Sequence, residues 1–309
     1  MKTTTLAMAV ATALLASPAF AQSAISMPTT TVTTAAATTA DSTATPANNS
    51  GFSLGVGVDY TSGDYGTNST TEIVSVPVTA KYNTGNWTFK ASLPWMRVSG
   101  NPYVVPGVGA SASVTGRGKH LGVAVTPGTA ASTSSSSASG VGDLRVAATY
   151  SFNTGSPLGV DLTGNIKFGT ADDTKGLGTG ATDYGLAVDL YRDFSGTTLF
   201  GGVGYTRLGK SVYVTRQNVG GANIGFSHKL GFGSIGASYE YRQSAVSKSG
   251  STTGTNGVYG NSYGDPRSEV TGFYNFPAGN KGKFQIYALA GLAKGSPDFG
   301  GGVAYTQSF

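Results

Sequence analysis

The chain has 309 residues, of which 39% are hydrophobic and only 11% charged, with a formal charge of +5, 47 glycines, two histidines and no cysteine. The missing cysteine excludes a disulfide framework, a thiolate metal site and a cysteine nucleophile. Lys and Arg are spread thinly along the chain, so no basic patch for nucleic acid forms, and no apolar run of 18 follows residue 21, which excludes helical membrane spans.

The first 21 residues read as an export signal: Lys2, an apolar run from Leu6 to Ala16, and a small-x-small cleavage site at Ala19-Phe20-Ala21. The run is too short for a membrane helix, so removal after export is expected. Residues 22–50 consist almost wholly of Thr, Ala, Ser, Pro and Asn. That composition has no apolar periodicity to bury, and a disordered periplasmic tail is expected.

From Gly51 the pattern changes to period two. Twelve alternating segments fall at 52–60, 72–82, 86–97, 140–152, 158–168, 182–194, 197–208, 219–230, 234–243, 268–276, 283–293 and 299–309. Most have the length of a tilted strand crossing a bilayer. A mean hydropathy near zero is consistent with this, because lipid-facing and lumen-facing residues cancel.

The connections alternate. Short ones follow the even segments up to the tenth: Asn83-Thr-Gly85, Asn153 to Pro157, Ser195-Gly196, Gly231-Phe-Gly233 and Pro277 to Gly282. Longer ones follow the odd segments, the longest being Val98 to Ser139; Lys294 to Asp298 is a brief exception. Tight turns on one side and polar loops on the other suit an all-β, antiparallel up-and-down transmembrane barrel of about twelve strands. Its domain would span 51–309, with turns and both termini in the periplasm and loops outside. Tyr82, Phe152, Phe194, Phe276 and Phe309 end segments at the turn side, and Trp87 falls at the same level. Together they fit an interfacial girdle.

Parity separates two faces. Val74, Val76, Val78, Ala80 and Tyr82 oppose Ser75, Thr79 and Lys81; Tyr184, Leu186, Val188, Leu190 and Phe194 oppose Asp183, Asp189 and Asp193. A Lys or Arg at the lipid midplane costs about 2–4 kcal/mol, so the charged face points inward. Arg192 and Arg207 have lipid-facing parity near segment ends, where that cost falls. The inward set holds Asp59, Asp143, Asp161, Asp183, Asp189, Asp193 and Glu240 against Lys81, Lys90, Arg145, Lys167, Lys229 and Arg242. Such near balance predicts weak ion selectivity, with cross-strand pairing or a path for a neutral solute. The lumen-lining candidates are Asp143, Lys167, Asp183, Asp189, Glu240 and Arg242. Glycines at 55, 57, 202, 204 and 225 are expected to leave space or allow strand curvature.

Chemistry-bearing motifs are sparse. His120 lies in the longest loop and His228 near a turn-side strand end, on opposite sides of the proposed membrane, so they share no metal or catalytic site. Gly116-Arg-Gly-Lys-His120 reads as a solvated basic loop, and it lacks the Gly and Ser/Thr of a phosphate loop. Asp172-Asp173 lacks the spaced oxygen ligands of a calcium site. No catalytic, cofactor or metal site is expected.

The ending Val303-Ala-Tyr305-Thr-Gln-Ser-Phe309 resembles those of bacterial outer-membrane barrels, whose assembly machinery recognises a C-terminal aromatic strand. The resemblance implies Tyr305 and Phe309 as an assembly signal, with outer-membrane lipid and lipopolysaccharide as surroundings. Residues 140–194 resemble a family of outer-membrane transporters named after the meta-cleavage pathway of phenol degradation. The carrying stretches are Gly140-Val-Gly-Asp143 opening Leu144 to Phe152, Lys167-Phe-Gly-Thr-Ala-Asp172, and Leu177-Gly-Thr-Gly-Ala-Thr-Asp183. Gly169 and Ala171 stand where that family tends to carry Pro and Gly. The resemblance implies a barrel with a transport role and makes Asp143, Lys167 and Asp183 neighbours in a polar constriction. The expected function is passive diffusion of small, aromatic or weakly charged solutes through an outer-membrane channel. A structural or adhesive surface barrel and a barrel hydrolase are the alternatives.

Overall fold

The computed structural model describes residues 50–67, 69–101, 104–107, 109–110, 136–211, 216–246 and 265–309. The expected signal segment, the tail up to Asn49 and His120 lie outside them.

Period-two patterning produces strands throughout: β1 (Gly51–Gly63), β2 (Thr71–Thr84), β3 (Trp87–Gly100), β4 (Val104–Val105), β5 (Gly109–Ala110), β6 (Ser136–Val141), β7 (Arg145–Phe152), β8 (Leu158–Lys167), β9 (Asp183–Phe194), β10 (Thr197–Arg207), β11 (Val219–Leu230), β12 (Gly233–Arg242), β13 (Arg267–Ala278), β14 (Gly282–Gly291) and β15 (Phe299–Ser308). Each pairs antiparallel with its neighbour in the wall; β15 returns to β1, and β2 also pairs with β3, so the sheet closes on itself. β6 and β7 both pair with β3 and form one wall strand with a break, which makes twelve strands around the ring. β4 and β5 form a separate hairpin within the long connection after β3.

The expected fourth segment, 140–152, differs in two ways. Its strand begins earlier, at Ser136, because Val98 and Arg97 of an extended β3 find partners in Ala138 and Ser139. It is then interrupted at 142–144. The Gly142 amide donates to the Pro94 carbonyl (2.8 Å), and a Cβ at 142 would collide with Pro94 and Met96. Pro94 lies opposite Pro77 on β2, so neither residue can donate to the ladder there.

The outward face is apolar. Leu186, Val203 and Ile224 are 57%, 60% and 65% exposed, and they belong to a continuous belt that includes Val56, Val58, Leu199 and Val303. Large apolar side chains stand exposed on every wall strand, as a lipid-facing wall requires. The inward residues of β9, Asp183, Ala187 and Asp189, are buried. Arg192 and Arg207 do face outward, and the Arg192 guanidinium lies 4.9 Å from the Phe194 ring centre, a stabilising contact at the strand end.

Aromatic rings encircle the short-turn rim. Trp87 contacts Phe89 and Tyr150 at 5.9 and 5.0 Å, while Tyr274, Phe276, Phe284 and Tyr305 form a chain at 5.6, 5.6 and 4.8 Å. At the seam between first and last strands, Phe309 stacks on Phe52 at 6.1 Å and donates its amide to the Phe52 carbonyl at 2.9 Å. Phe309→Ala is expected to lower stability by about 1 kcal/mol through the lost ring pair. The check is the temperature at which the folded band converts to the unfolded one on a detergent gel; an unchanged temperature would contradict a role at the seam.

Candidate lumen site

The break at 142–144 turns Asp143 inward, where it meets the last residue of β8 and the first of β9. The Lys167 ammonium donates to Asp143 Oδ2 (2.9 Å), Thr179 Oγ1 (3.2 Å) and the Ala181 carbonyl (3.0 Å), and it lies 3.2 Å from Asp183 Oδ2. Asp143 Oδ1 accepts from the Ala171 amide (3.0 Å), and Asp183 Oδ1 from the Gly209 amide (2.8 Å). Arg216, from the connection after β10, adds a second cation 3.2 Å from Asp183 Oδ1 and donates to the Gly209 carbonyl. Lys167 and Asp183 are essentially sealed, at 1% and 0% exposure. Two carboxylates alternate with two cations, so the network neutralises itself while tying the connection at 168–182, and Gly209 and Arg216 after β10, to the wall. One of those connections carries a 3-10 turn at Asp173–Lys175, capped by Asp172. The Thr174 hydroxyl and turn amides hold the Asp172 carboxyl below its usual range, so this cap is intact at neutral pH and lost as pH falls through the lowered value.

A second charged group sits on β12 and β13. Glu240 pairs in register with Glu269, and Arg242 with Arg267. Arg267 Nε lies 3.0 Å from Glu269 Oε1, and Arg242 donates to the Gly107 carbonyl at 3.2 Å. Gly107 belongs to the segment around β4, which crosses the long-loop mouth. Val104 packs with Tyr65, Ile73, Met96 and Val98 on the β1–β3 side, whereas Val105 packs with Val219, Ala245 and Val246 on the β11–β12 side. Between those two arcs lie three wall strands on one side and four on the other, so the crossing joins roughly opposite sides of the ring. Tyr65 anchors one end, bonded to Thr61 Oγ1 at 2.8 Å; burial pushes its hydroxyl up to about 12, and it remains neutral.

Below this crossing the interior is partly filled. Phe200, Phe273, Tyr287 and Leu289 form an inward apolar cluster with Tyr191 packed against it. The rings lie over inward glycines: a Cβ at Gly225 would strike Phe200, at Gly236 Phe273, at Gly159 Tyr191 and at Gly302 Tyr287. Gly225 is therefore a ring seat, and Gly202 likewise gives way to the Asp189 carboxylate. Tyr287 donates to Asp59 Oδ1 at 2.5 Å, and Asp161 stands opposite Asp189 in the β8–β9 register.

The six lumen candidates thus separate into three places. Asp143, Lys167 and Asp183 meet in the buried clamp, Glu240 and Arg242 belong to the β12–β13 group, and Asp189 faces Asp161. Asp193 is spent at a turn, accepting from the Gly196 amide and the Thr198 hydroxyl. His228 is outward and exposed, paired with Thr197 at 2.8 Å. Four charged residues escaped the sequence reading. Arg267 lies one residue before the expected tenth segment, Glu269 and Lys283 have inward parity within the tenth and eleventh, and Arg216 lies in a connection.

Lys167→Met should destabilise the barrel by about 3–5 kcal/mol, because two buried carboxylates lose their shared cation. Lys175→Met, which breaks an exposed pair with Asp172, should cost about 0.5 kcal/mol. Urea unfolding of the refolded barrel in detergent measures both; equal effects would contradict the clamp.

No protein-family model matches the chain, and no curated protein matches it. Solved structures do. An outer membrane channel from Pseudomonas putida F1 matches at 13% identity over 84% of this chain and 96% of its own, with a TM-score of 0.58. The toluene transporter TodX of Pseudomonas putida matches at 12% identity over 92% of each chain, with a TM-score of 0.40. The translocator domain of the autotransporter NalP from Neisseria meningitidis matches at 14% identity over 85% of this chain and 90% of its own, with a TM-score of 0.43. The chain has the fold of an outer-membrane β-barrel.

Proposed function

We propose that this barrel is an outer-membrane channel through which small, weakly charged solutes with an aromatic or apolar body diffuse passively. One observation carries the reading: a closed ring of strands holds an apolar belt outward and turns most of its charged side chains inward, around an inward apolar cluster. Only a barrel in lipid needs the first, and a wet interior accounts for the second. The likeness to the Pseudomonas putida F1 channel and the resemblance of residues 140–194 to the phenol meta-pathway transporters support the same reading. Export by residues 1–21, insertion by the barrel assembly machinery through Tyr305 and Phe309, and contact with lipopolysaccharide belong to this proposal. Glu269, Arg267 and Lys283 join the inward charges and keep their signs balanced, which fits low ion selectivity.

The mouth-crossing segment and the rings seated over glycines favour a second reading, a structural barrel that conducts nothing. Planar-bilayer recording separates the two. The channel reading expects discrete conductance steps, and Val104→Gly with Val105→Gly should raise the step by roughly twofold or more by loosening the apolar crossing. Silence from both wild-type and variant barrels would leave the structural reading standing.

A further inference from the structure

The clamp at the mouth satisfies its own charges, whereas the acids farther down the wall do not. Asp161 and Asp189 are register partners on β8 and β9, 2% and 4% exposed. Like charges placed directly opposite repel, and burial strengthens that repulsion. Gly202, next in the same row, has no side chain, and the Asp189 carboxylate lies over it towards Asn223 on β11, with which it shares a hydrogen bond. One oxygen of each member has no partner among the described residues: Asp161 Oδ1, Asp189 Oδ1 and Asn223 Oδ1. Three orphan acceptors in one row, two of them on carboxylates, call for a donor that carries positive charge.

The surroundings identify its kind. Tyr191 follows Asp189 by two residues on the same face, lies within hydrogen-bonding reach of Asp161, and pairs in register with Phe200. Phe200 leads into the inward apolar cluster. A hard metal ion would want six or more oxygens, which this row does not offer. A primary ammonium offers three N–H donors, one for each orphan oxygen, and its apolar body would lie on aromatic faces that also favour a cation.

We infer that Asp161, Asp189 and Asn223 form a subsite for the ammonium head of a small solute whose apolar or aromatic body rests on Tyr191 and Phe200. This rests on the channel reading and narrows it to one solute class, although the subsite itself requires no conduction.

The test is isothermal titration of the refolded barrel in detergent with 2-phenylethylammonium and with 2-phenylethanol, which has a similar body and no charge. The amine should bind about tenfold or more tightly than the alcohol. Asp161→Asn and Asp189→Asn should each remove that preference, while Asp172→Asn, on the outer turn, should leave it intact. Heat-modifiable migration establishes that each variant is folded. Equal binding of amine and alcohol, or an amine preference that survives the double variant, overturns the subsite. Bilayer recording under the same conditions keeps the two ideas apart. A barrel that conducts without binding the amine loses the subsite and keeps the channel; one that binds the amine without ever conducting keeps the subsite and loses the channel.

Discussion

Closure of the backbone hydrogen-bond ladder is the constraint from which the rest of this structure follows. Hydrocarbon offers no partner to a peptide group, so each N–H and C=O at membrane depth must find one within the wall. The chain meets that demand by pairing its last strand with its first, from Ser53 opposite Ser308 to Ser62 opposite Phe299. Once the ring is closed, parity alone decides what each side chain meets: lipid for Val56, Val58 and Val303, the interior for Asp59 and Thr61. The weak places in the ladder are local. Pro77 and Pro94 face each other, and the neighbouring strand breaks at Gly142 to supply an amide to Pro94.

The interior faces a second constraint. A ring of twelve strands is narrow, and charged side chains turned into it must be neutralised or hydrated. The mouth and the middle of the wall solve this differently. At the mouth, Lys167 and Arg216 are sealed against Asp143 and Asp183, and the cost of desolvation is offset by short ion pairs and backbone donors. Midway down, Asp161 and Asp189 keep orphan oxygens, and aromatic rings occupy the space left by glycines. The first arrangement secures loops; the second leaves interaction capacity unused. That contrast is why the clamp is read as structure and the acid pair as a place for a solute.

Much of the fold was legible because the period of a strand is independent of its partners. All twelve expected segments overlap wall strands, and the segment at 219–230 coincides with β11. The proximity of Asp143, Lys167 and Asp183 could also be read, since they open or close consecutive strands. What could not be read depends on register and on long-range packing. Nothing local indicates that Asp161 stands opposite Asp189, or that Gly225 seats the ring of Phe200 one strand away. Arg216 sits outside any alternating run, so parity was silent about it. The crossing by Val104 and Val105 was hidden for the same reason: a short apolar pair in a long polar connection has no period, and its partners lie on opposite arcs of the barrel.

One face of every wall strand meets lipid, and the proposed channel requires that water reach the face turned inward. The absence of native cysteine makes this directly measurable by single-cysteine spin labelling along β9 in lipid vesicles. Leu186→Cys, Val188→Cys and Leu190→Cys should be relaxed strongly by oxygen and weakly by a water-soluble nickel chelate. Ala187→Cys and Asp189→Cys should show the reverse. A uniform accessibility along the strand, or inward positions that no water-soluble probe reaches, would contradict the account.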